Sequence, residues 1–362
     1  MDNDSKDWIY SLKNKASTFM EKMKVEEPGF YRYSMSGDVL SPKVKWGLGN
    51  SVFAAKILYM LDRLTDEDRE EISSFIRSFQ DGKGEIYDPA VQRLSWRDRW
   101  SRPLTSLDFG NVLNARTRRA ETRQAFAALM CLGRQPGRKY AQVPGTMEEV
   151  ERYILLLDWK RPWGAASHVS HLAFFLKAND VLCGQSGCGR EELMRSVFDV
   201  TGRFRQTDGS WYEPRPGISS AQKVNAAMKM LTAYAAADKW DFGMEKELID
   251  LCLLAVNDSD ACGNLNIVLV LYYCSKRTDH RATEIRRFCE DRLKIYRRHY
   301  WPEYGGFSFY GRKANDVYYG AKISHGLTEP DIHGTTMFLW GIAMISEILE
   351  LKDDVGLKFP IT

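Results

Sequence analysis

Three loops of this chain carry the same short message: Gln80-Asp-Gly-Lys-Gly84-Glu-Ile86, Gln206-Thr-Asp-Gly209-Ser-Trp211 and Glu303-Tyr-Gly-Gly306-Phe307-Ser-Phe309. Each follows one helical pattern and precedes another, and such self-similarity marks a fold assembled from repeated units. Asp-Gly and Gly-Gly supply the left-handed backbone positions that end a helix and turn the chain. The Ile or aromatic near the end of each loop is suited to plug the gap between neighbouring helix pairs. The glutamine is suited to bond the orphan carbonyls left at a helix end.

Apolar residues at helical spacing (Val52, Phe53, Ala55, Ile57, Leu58, Met60, Leu61) mark a helix over 50–64. Thr65 caps a partner that runs to residue 79, with Asp66, Glu67 and Asp68 favourably placed in its first turn. Further pairs read at 117–132 with 146–157, 167–179 with 190–204, 219–237 with 242–256, and 263–275 with 278–298. The last long apolar helix, about 331–351, takes an N-terminal helix at about 6–23 as its partner. The pattern predicts an all-α fold in one domain over 1–362, with six helix pairs, no β-rich segment and no linker. Because both terminal segments read as core-forming helices and not as the polar caps of an open solenoid, the expected architecture is a closed (α/α)6 toroid. Only 84–116 and 300–330 are long without helical pattern, and loops of that length usually cover or form sites.

A net charge of +3 is too small to argue for a nucleic-acid partner. No apolar run approaches the ~18 residues of a transmembrane helix, and Met1-Asp-Asn-Asp-Ser-Lys lacks the apolar core of a signal peptide. Seven cysteines, an odd number thinly spread, argue against a disulfide framework. A cytoplasmic protein without a transmembrane segment is expected. The basic residues do cluster: eight arginines lie between Arg93 and Arg123 against Asp98, Asp108 and Glu121. The stretch from Arg93 to Arg102, with Trp96, Arg99 and Trp100, fits the entrance for an anionic substrate or a subunit contact in a homo-oligomer.

The helices that follow the loops share a peculiarity, polar residues near the start of apolar patterns: Glu121 and Arg123, His168 and His171, Gln222 and Asn225, Asn264 and Asn266, Asp331 and His333. Each alone is an ordinary cap or a satisfied core group. Their recurrence predicts a shared pocket at the helix N-termini. Asp331 and His333 are the strongest chemical candidates, an acid and a proton-transfer group that can tune one another. Asp260 heads the neighbouring helix, and His168 and His171 lie on one face at i and i+3. Trp163, Trp211, Tyr212, Asn225, Asn264, Tyr318, Tyr319 and Glu329 complete the expected site as substrate-binding groups for a small hydrophobic or anionic substrate.

Gln-x3-Gly-x-Trp loops between paired helices resemble the repeats of the terpenoid cyclase and protein prenyltransferase toroids, the squalene–hopene cyclase type among them. Gln80 to Ile86 has that spacing with Ile for Trp, Gln206 to Trp211 is one residue short, and the third copy keeps a glycine and an aromatic. The resemblance implies a terpenoid cyclase or isomerase that starts by protonating an isoprenoid in an aromatic-lined cavity. In such cyclases Asp-x-Asp-Asp supplies the acid; here Asp258-Ser-Asp260 is followed by Ala261. Prenyltransferases hold zinc with Asp-x-Cys and a His, types matched by Asp260, Cys262 and His333; no other cofactor is implied. Two alternatives stay open. One is a carbohydrate-active ring enzyme, a glycosidase or polysaccharide lyase acting on an acidic glycan, with Asp260 and Asp331 as its carboxylate pair. The other is a non-catalytic binding toroid.

Overall fold

The computed structural model describes residues 1–39, 46–92, 115–183 and 188–361, and these are mostly helical. In chain order the helices are α1 (Asn3–Met23), α2 (Leu48–Met60), α3 (Asp66–Arg77), α4 (Pro89–Gln92), α5 (Ala115–Cys131), α6 (Met147–Leu155) and α7 (Pro162–Cys183). They continue as α8 (Cys188–Gly202), α9 (Ser220–Ala236), α10 (Glu245–Leu254), α11 (Ala261–Ser275), α12 (Ala282–His299), α13 (Ile332–Ile348) and α14 (Lys352–Val355). Two antiparallel hairpins, β1 (Tyr300–Trp301) with β2 (Gly306–Phe307) and β3 (Val317–Tyr318) with β4 (Ala321–Lys322), fill the segment between α12 and α13. The arginine- and tryptophan-rich stretch from Arg93 to Arg102 lies outside the described residues. Among the described residues no helix is long and apolar enough to cross a membrane.

The helices divide by burial. α2, α11 and α13 are buried on nearly every side, as expected for apolar helices in the middle of a packed structure. α3 and α12 bury one stripe and leave their charged face in water. α2 packs on α5, α5 on α7, α7 on α9, α9 on α11, α11 on α13, and α13 on α2 again. Outside them α3 packs on α2, α8 on α7, α10 on α9 and α11, and α12 on α11 and α13, while α6 packs on α8. α1 lies against α2, β2 and α14, with Trp8 edge-on to Tyr300 at 5.6 Å and Asp4 paired to Arg297 of α12. The C-terminal tail crosses the far ends of α2 and α5: Lys358 N donates to Met60 O at 2.9 Å and Ile361 N to Cys131 Sγ at 3.4 Å.

Local signals explain the helix starts. Thr65 and Asp68 form a reciprocal capping box on α3, and Ser219 with Gln222 forms one on α9. Asp260 and Asp331 cap α11 and α13. One start differs from expectation: α7 begins at Pro162, five residues before the predicted 167, because proline is well suited to the first helical position, where its missing N–H costs nothing. His168 and His171 therefore sit in the second and third turns and not in the first.

The three loops fold alike, and their structure corrects the register of the second. Gln80 bridges to Ile86 and Arg205 to Trp211, while Tyr300 pairs with Phe307. A glycine with positive φ precedes the plugging residue by two positions in each: Gly84 at +83°, Gly209 at +79° and Gly305 at +83°. Ile86, Trp211 and Phe307 are all fully enclosed. The structural counterpart of Gln80 is thus Arg205, not Gln206, which removes the apparent deletion. Gln80 Nε2 donates to Gly84 O and Arg138 O, and the Arg205 guanidinium donates to Phe242 O and Gly243 O while covering Trp211 at 3.8 Å. A Cβ at Gly84 would stand 1.9 Å from Lys139 O, whereas one at Gly82 meets nothing within 4 Å. Gly84→Ala is accordingly expected to cost about 2 kcal/mol or more. Gly82→Ala should change stability by less than ~0.5 kcal/mol. Chemical denaturation of the pair checks both values.

Candidate functional site

All six mutually packed helices contribute to one cavity of about 320 Å³. Its walls are aromatic and aliphatic: Phe53 from α2, Trp163 from α7, Met228 from α9, Leu265 from α11, and Met337 and Trp340 from α13. Phe309, Tyr310, Tyr318 and Tyr319 descend from the hairpin segment to close it. Polar atoms come from Gln124, Thr232, Cys262, Asn266, Asn315, His333 and Thr336. The charged lining residues are Lys56, Arg123 and Lys229, all cations; among the described residues no carboxylate lines the cavity.

The three cations lie deep. Lys56 is the only charged residue of α2, eight residues past Leu48, and Lys229 is nine past Ser220 in α9, roughly 12–14 Å down the helix axis at 1.5 Å per residue. Lys56 is 4% exposed and donates through Nζ to Gln124 Oε1. Arg123 is also 4% exposed; its Nε has no partner and its guanidinium lies 5.3 Å from the Phe174 ring centre. Among the described residues none of the three forms a salt bridge. Burial first, and repulsion from Arg123 second, lower Lys229 to about 8; burial lowers Lys56 to about 7, opposed by the nearby Cys131 and helped by Arg123 and Lys229; burial brings Arg123 down to about 10.

His333 projects from the first turn of α13 into this space. Its ring stacks on Phe53 at 4.4 Å and meets Phe309 at 4.6 Å. Asn315 Nδ2 donates to Tyr33 Oη at 2.9 Å, which leaves the tyrosine proton for His333 Nδ1 at 3.2 Å. With the Tyr33 hydroxyl donating to Nδ1, the His333 proton is on Nε2. Burial and the Lys56 charge lower its pKa to about 3, so His333 is a neutral hydrogen-bond donor at physiological pH.

Asp331 is fully buried and does not line the cavity. Its Oδ1 accepts from Gly334 N at 2.7 Å, and Oδ2 accepts from Phe309 N at 2.8 Å and Asn315 N at 3.1 Å. Burial raises its pKa to about 7 against the pull of these donors. It ties the hairpin segment to the start of α13 and so places Phe309, Asn315 and His333. Asp260 likewise spends Oδ1 on Gly263 N at 2.8 Å. Cys262 lines the cavity with a thiol that burial pushes up to about 12. Among the described residues no three His, Cys, Asp or Glu side chains gather as a metal-ion site, so Asp260, Cys262 and His333 do not meet at one centre.

The other expected residues divide. Trp163, Tyr318 and Tyr319 line the cavity, and Asn225 supports it by accepting from Asn266 Nδ2 at 2.8 Å and Asn257 Nδ2 at 2.9 Å. Asn264 is a fastener, donating to Asp258 O and Asp260 O and accepting from Arg292 at 3.1 Å. Trp211 is core, and Tyr212 donates to Asp208 at 2.8 Å away from the cavity. Glu329 accepts from Ser36 N and Oγ and pins the N-terminal loop. His168 and His171 stand behind the wall; His168 Nδ1 faces Arg119 at 3.1 Å, and His171 Nδ1 is unpartnered. Glu121 is also buried, accepting from Asp88 N at 3.2 Å, with burial and then Asp88 raising its pKa well above the usual range.

Arg123 belongs to the polar residues expected near the helix starts, whereas Lys56 and Lys229 stand deeper and were not among them. The available signal was a lone lysine in each of two apolar stretches, Phe53–Met60 and Ala226–Leu231. A second cavity of about 490 Å³ lies at the other end of Trp340, among Trp240, Tyr272, Tyr273, Met344 and Phe359. It is larger, yet its cations are already paired, Lys276 with Glu347 and Arg277 with Asp241 and Glu245. The unpaired charge belongs to the first cavity. Comparison with known proteins finds no match to this chain among family models, curated sequences or solved structures.

Proposed function

We propose that the chain is an (α/α)6 toroid whose central cavity takes a small amphiphilic anion. The apolar body lies among Phe53, Phe309, Tyr318 and Trp340, and the acidic head lies against Lys56, Arg123 and Lys229. The observation that carries this reading is a set of three cations, Lys56 and Arg123 buried and Lys229 partly buried, with no carboxylate counterion among the described residues, in an otherwise aromatic cavity. Holding like charges in a low-dielectric site is costly for folding alone and is repaid when an anion enters. The terpenoid-type reading persists as a substrate class, since an isoprenoid diphosphate combines both chemistries. A protonation-initiated step draws no support from Asp331, whose oxygens serve backbone amides, from Asp260, which accepts from Gly263 N and Ser259 Oγ, nor from a neutral His333. Among the described residues a glycosidase reading lacks the facing carboxylates it needs.

Calorimetric titration tests the proposal with two pairs, geranyl diphosphate against geraniol and naphthyl phosphate against naphthol. The anion of at least one pair is expected to bind about tenfold or more tightly than its alcohol. Equal or weaker binding of both anions would overturn the reading.

A further inference from the structure

We propose that Lys56 is an amine nucleophile and that the cavity accepts an anionic aldehyde or ketone, which condenses with Lys56 to an imine. The proposal rests on the anion reading above and narrows its substrate class. A structural lysine in a protein interior either pairs with a carboxylate or snorkels its ammonium to water. Among the described residues Lys56 does neither: it is nearly enclosed, bonds a neutral amide oxygen of Gln124, and faces the cavity. The groups around it are Arg123, Gln124 and Cys131 from α5, Lys229 from α9 and His333 from α13. Cys131 is a buried thiol whose own pKa burial raises; it opposes the fall in the Lys56 pKa without reversing it. With its own pKa brought to about 7, roughly half of Lys56 is free amine at neutral pH. Desolvation beside other cations is a recognised way to activate a lysine. Of the other nucleophiles in the lining, Cys262 stays a protonated thiol, and Lys229, lowered only to about 8, is more fully protonated than Lys56 at neutral pH.

The step balances without a redox partner. The Nζ lone pair attacks the carbonyl carbon, and the oxygen takes up negative charge beside the Arg123 guanidinium. The nitrogen gives up its first proton and the oxygen becomes a hydroxyl. The Lys229 ammonium protonates that hydroxyl, which leaves as water while a C=N bond forms; loss of the second Nζ proton restores Lys229. The net change is amine plus carbonyl to imine plus water.

The test uses the full chain at pH 7.5 with 4-formylbenzoate or pyridoxal 5′-phosphate as the carbonyl probe, sodium cyanoborohydride to trap the imine, and peptide mapping by mass spectrometry. One equivalent is expected on Lys56, at least ~10-fold faster than on any other lysine. Excess benzoate or phosphate should slow it, and uncharged benzaldehyde should react more slowly. Lys56→Arg is expected to lose the adduct while keeping the helical circular dichroism and cooperative melting of the parent protein, which separates loss of the nucleophile from loss of the fold. Adducts spread over surface lysines, or on Lys229 in place of Lys56, would overturn the proposal. Anion binding with no Lys56 adduct would sink this proposal and leave the anion site standing; absence of anion binding as well would sink both.

Discussion

Arg123→Met is expected to keep or raise the melting temperature of the protein while weakening anion binding by about 10- to 100-fold. The magnitude follows from losing a charge-assisted hydrogen bond of about 1.5–3 kcal/mol. The direction of the stability change follows from Arg123 being buried with an unpartnered Nε, near Lys56 and Lys229 and without a carboxylate partner among the described residues. Replacing such a charge with an apolar side chain of similar length removes desolvation and repulsion together. A stabilising substitution that destroys binding separates a functional charge from a structural one.

The same cluster fixes two pH trends of opposite sign. Lys56 and Lys229 have folded pKa values of about 7 and about 8, below their ordinary value of 10.5. Between those values and 10.5 the two lysines bind more protons in the unfolded chain than in the folded one, so their contribution to the unfolding free energy rises with pH across that window and is constant below about 7. Anion affinity should fall across the lower part of the same window, as the lysines lose charge. Calorimetry from pH 6 to 9 reads both trends, and affinity that climbs with pH would contradict the assignment.

Asp331→Ala should destabilise the protein by about 4 kcal/mol, because Gly334, Phe309 and Asn315 would each keep a buried N–H with no acceptor at about 1–3 kcal/mol apiece. Asp331→Asn retains one carbonyl oxygen and should cost roughly half as much. Denaturant titration distinguishes this from a purely chemical role, for which activity would fall with stability unchanged. Because the carboxyl holds the hairpin segment, the Ala variant is also expected to loosen Phe309 and His333.

Part of the helical pairing was legible because its signals are local. The Thr65 cap and the apolar stripes act within a few residues and recur in the structure, whereas α6 packs chiefly on α8 and not on α5, and in the first loop the positive φ falls on Gly84 and not on the glycine of Asp81-Gly82. The slip in register at Arg205 arose because an arginine does the work of a glutamine there, donating to the same kind of loop carbonyls. The site was less legible. Asp331 and His333 lie two residues apart and read as one acid–base unit, but the carboxylate turns to backbone amides while the imidazole bonds Tyr33, 300 residues away. The three cations come from separate helices, and no spacing along the chain announces that Lys56, Arg123 and Lys229 share a cavity. Only packing decides that.

The central claim is that an anion sits on those cations, and a crystal structure of the protein with naphthyl phosphate tests it most directly. The account predicts phosphoryl oxygens about 2.7–3.2 Å from the Arg123 guanidinium and a lysine Nζ, with the naphthyl ring among Phe53, Tyr318 and Trp340. Ligand seated instead between Trp240, Tyr272 and Phe359, with the Arg123 side of the cavity unoccupied, would contradict it.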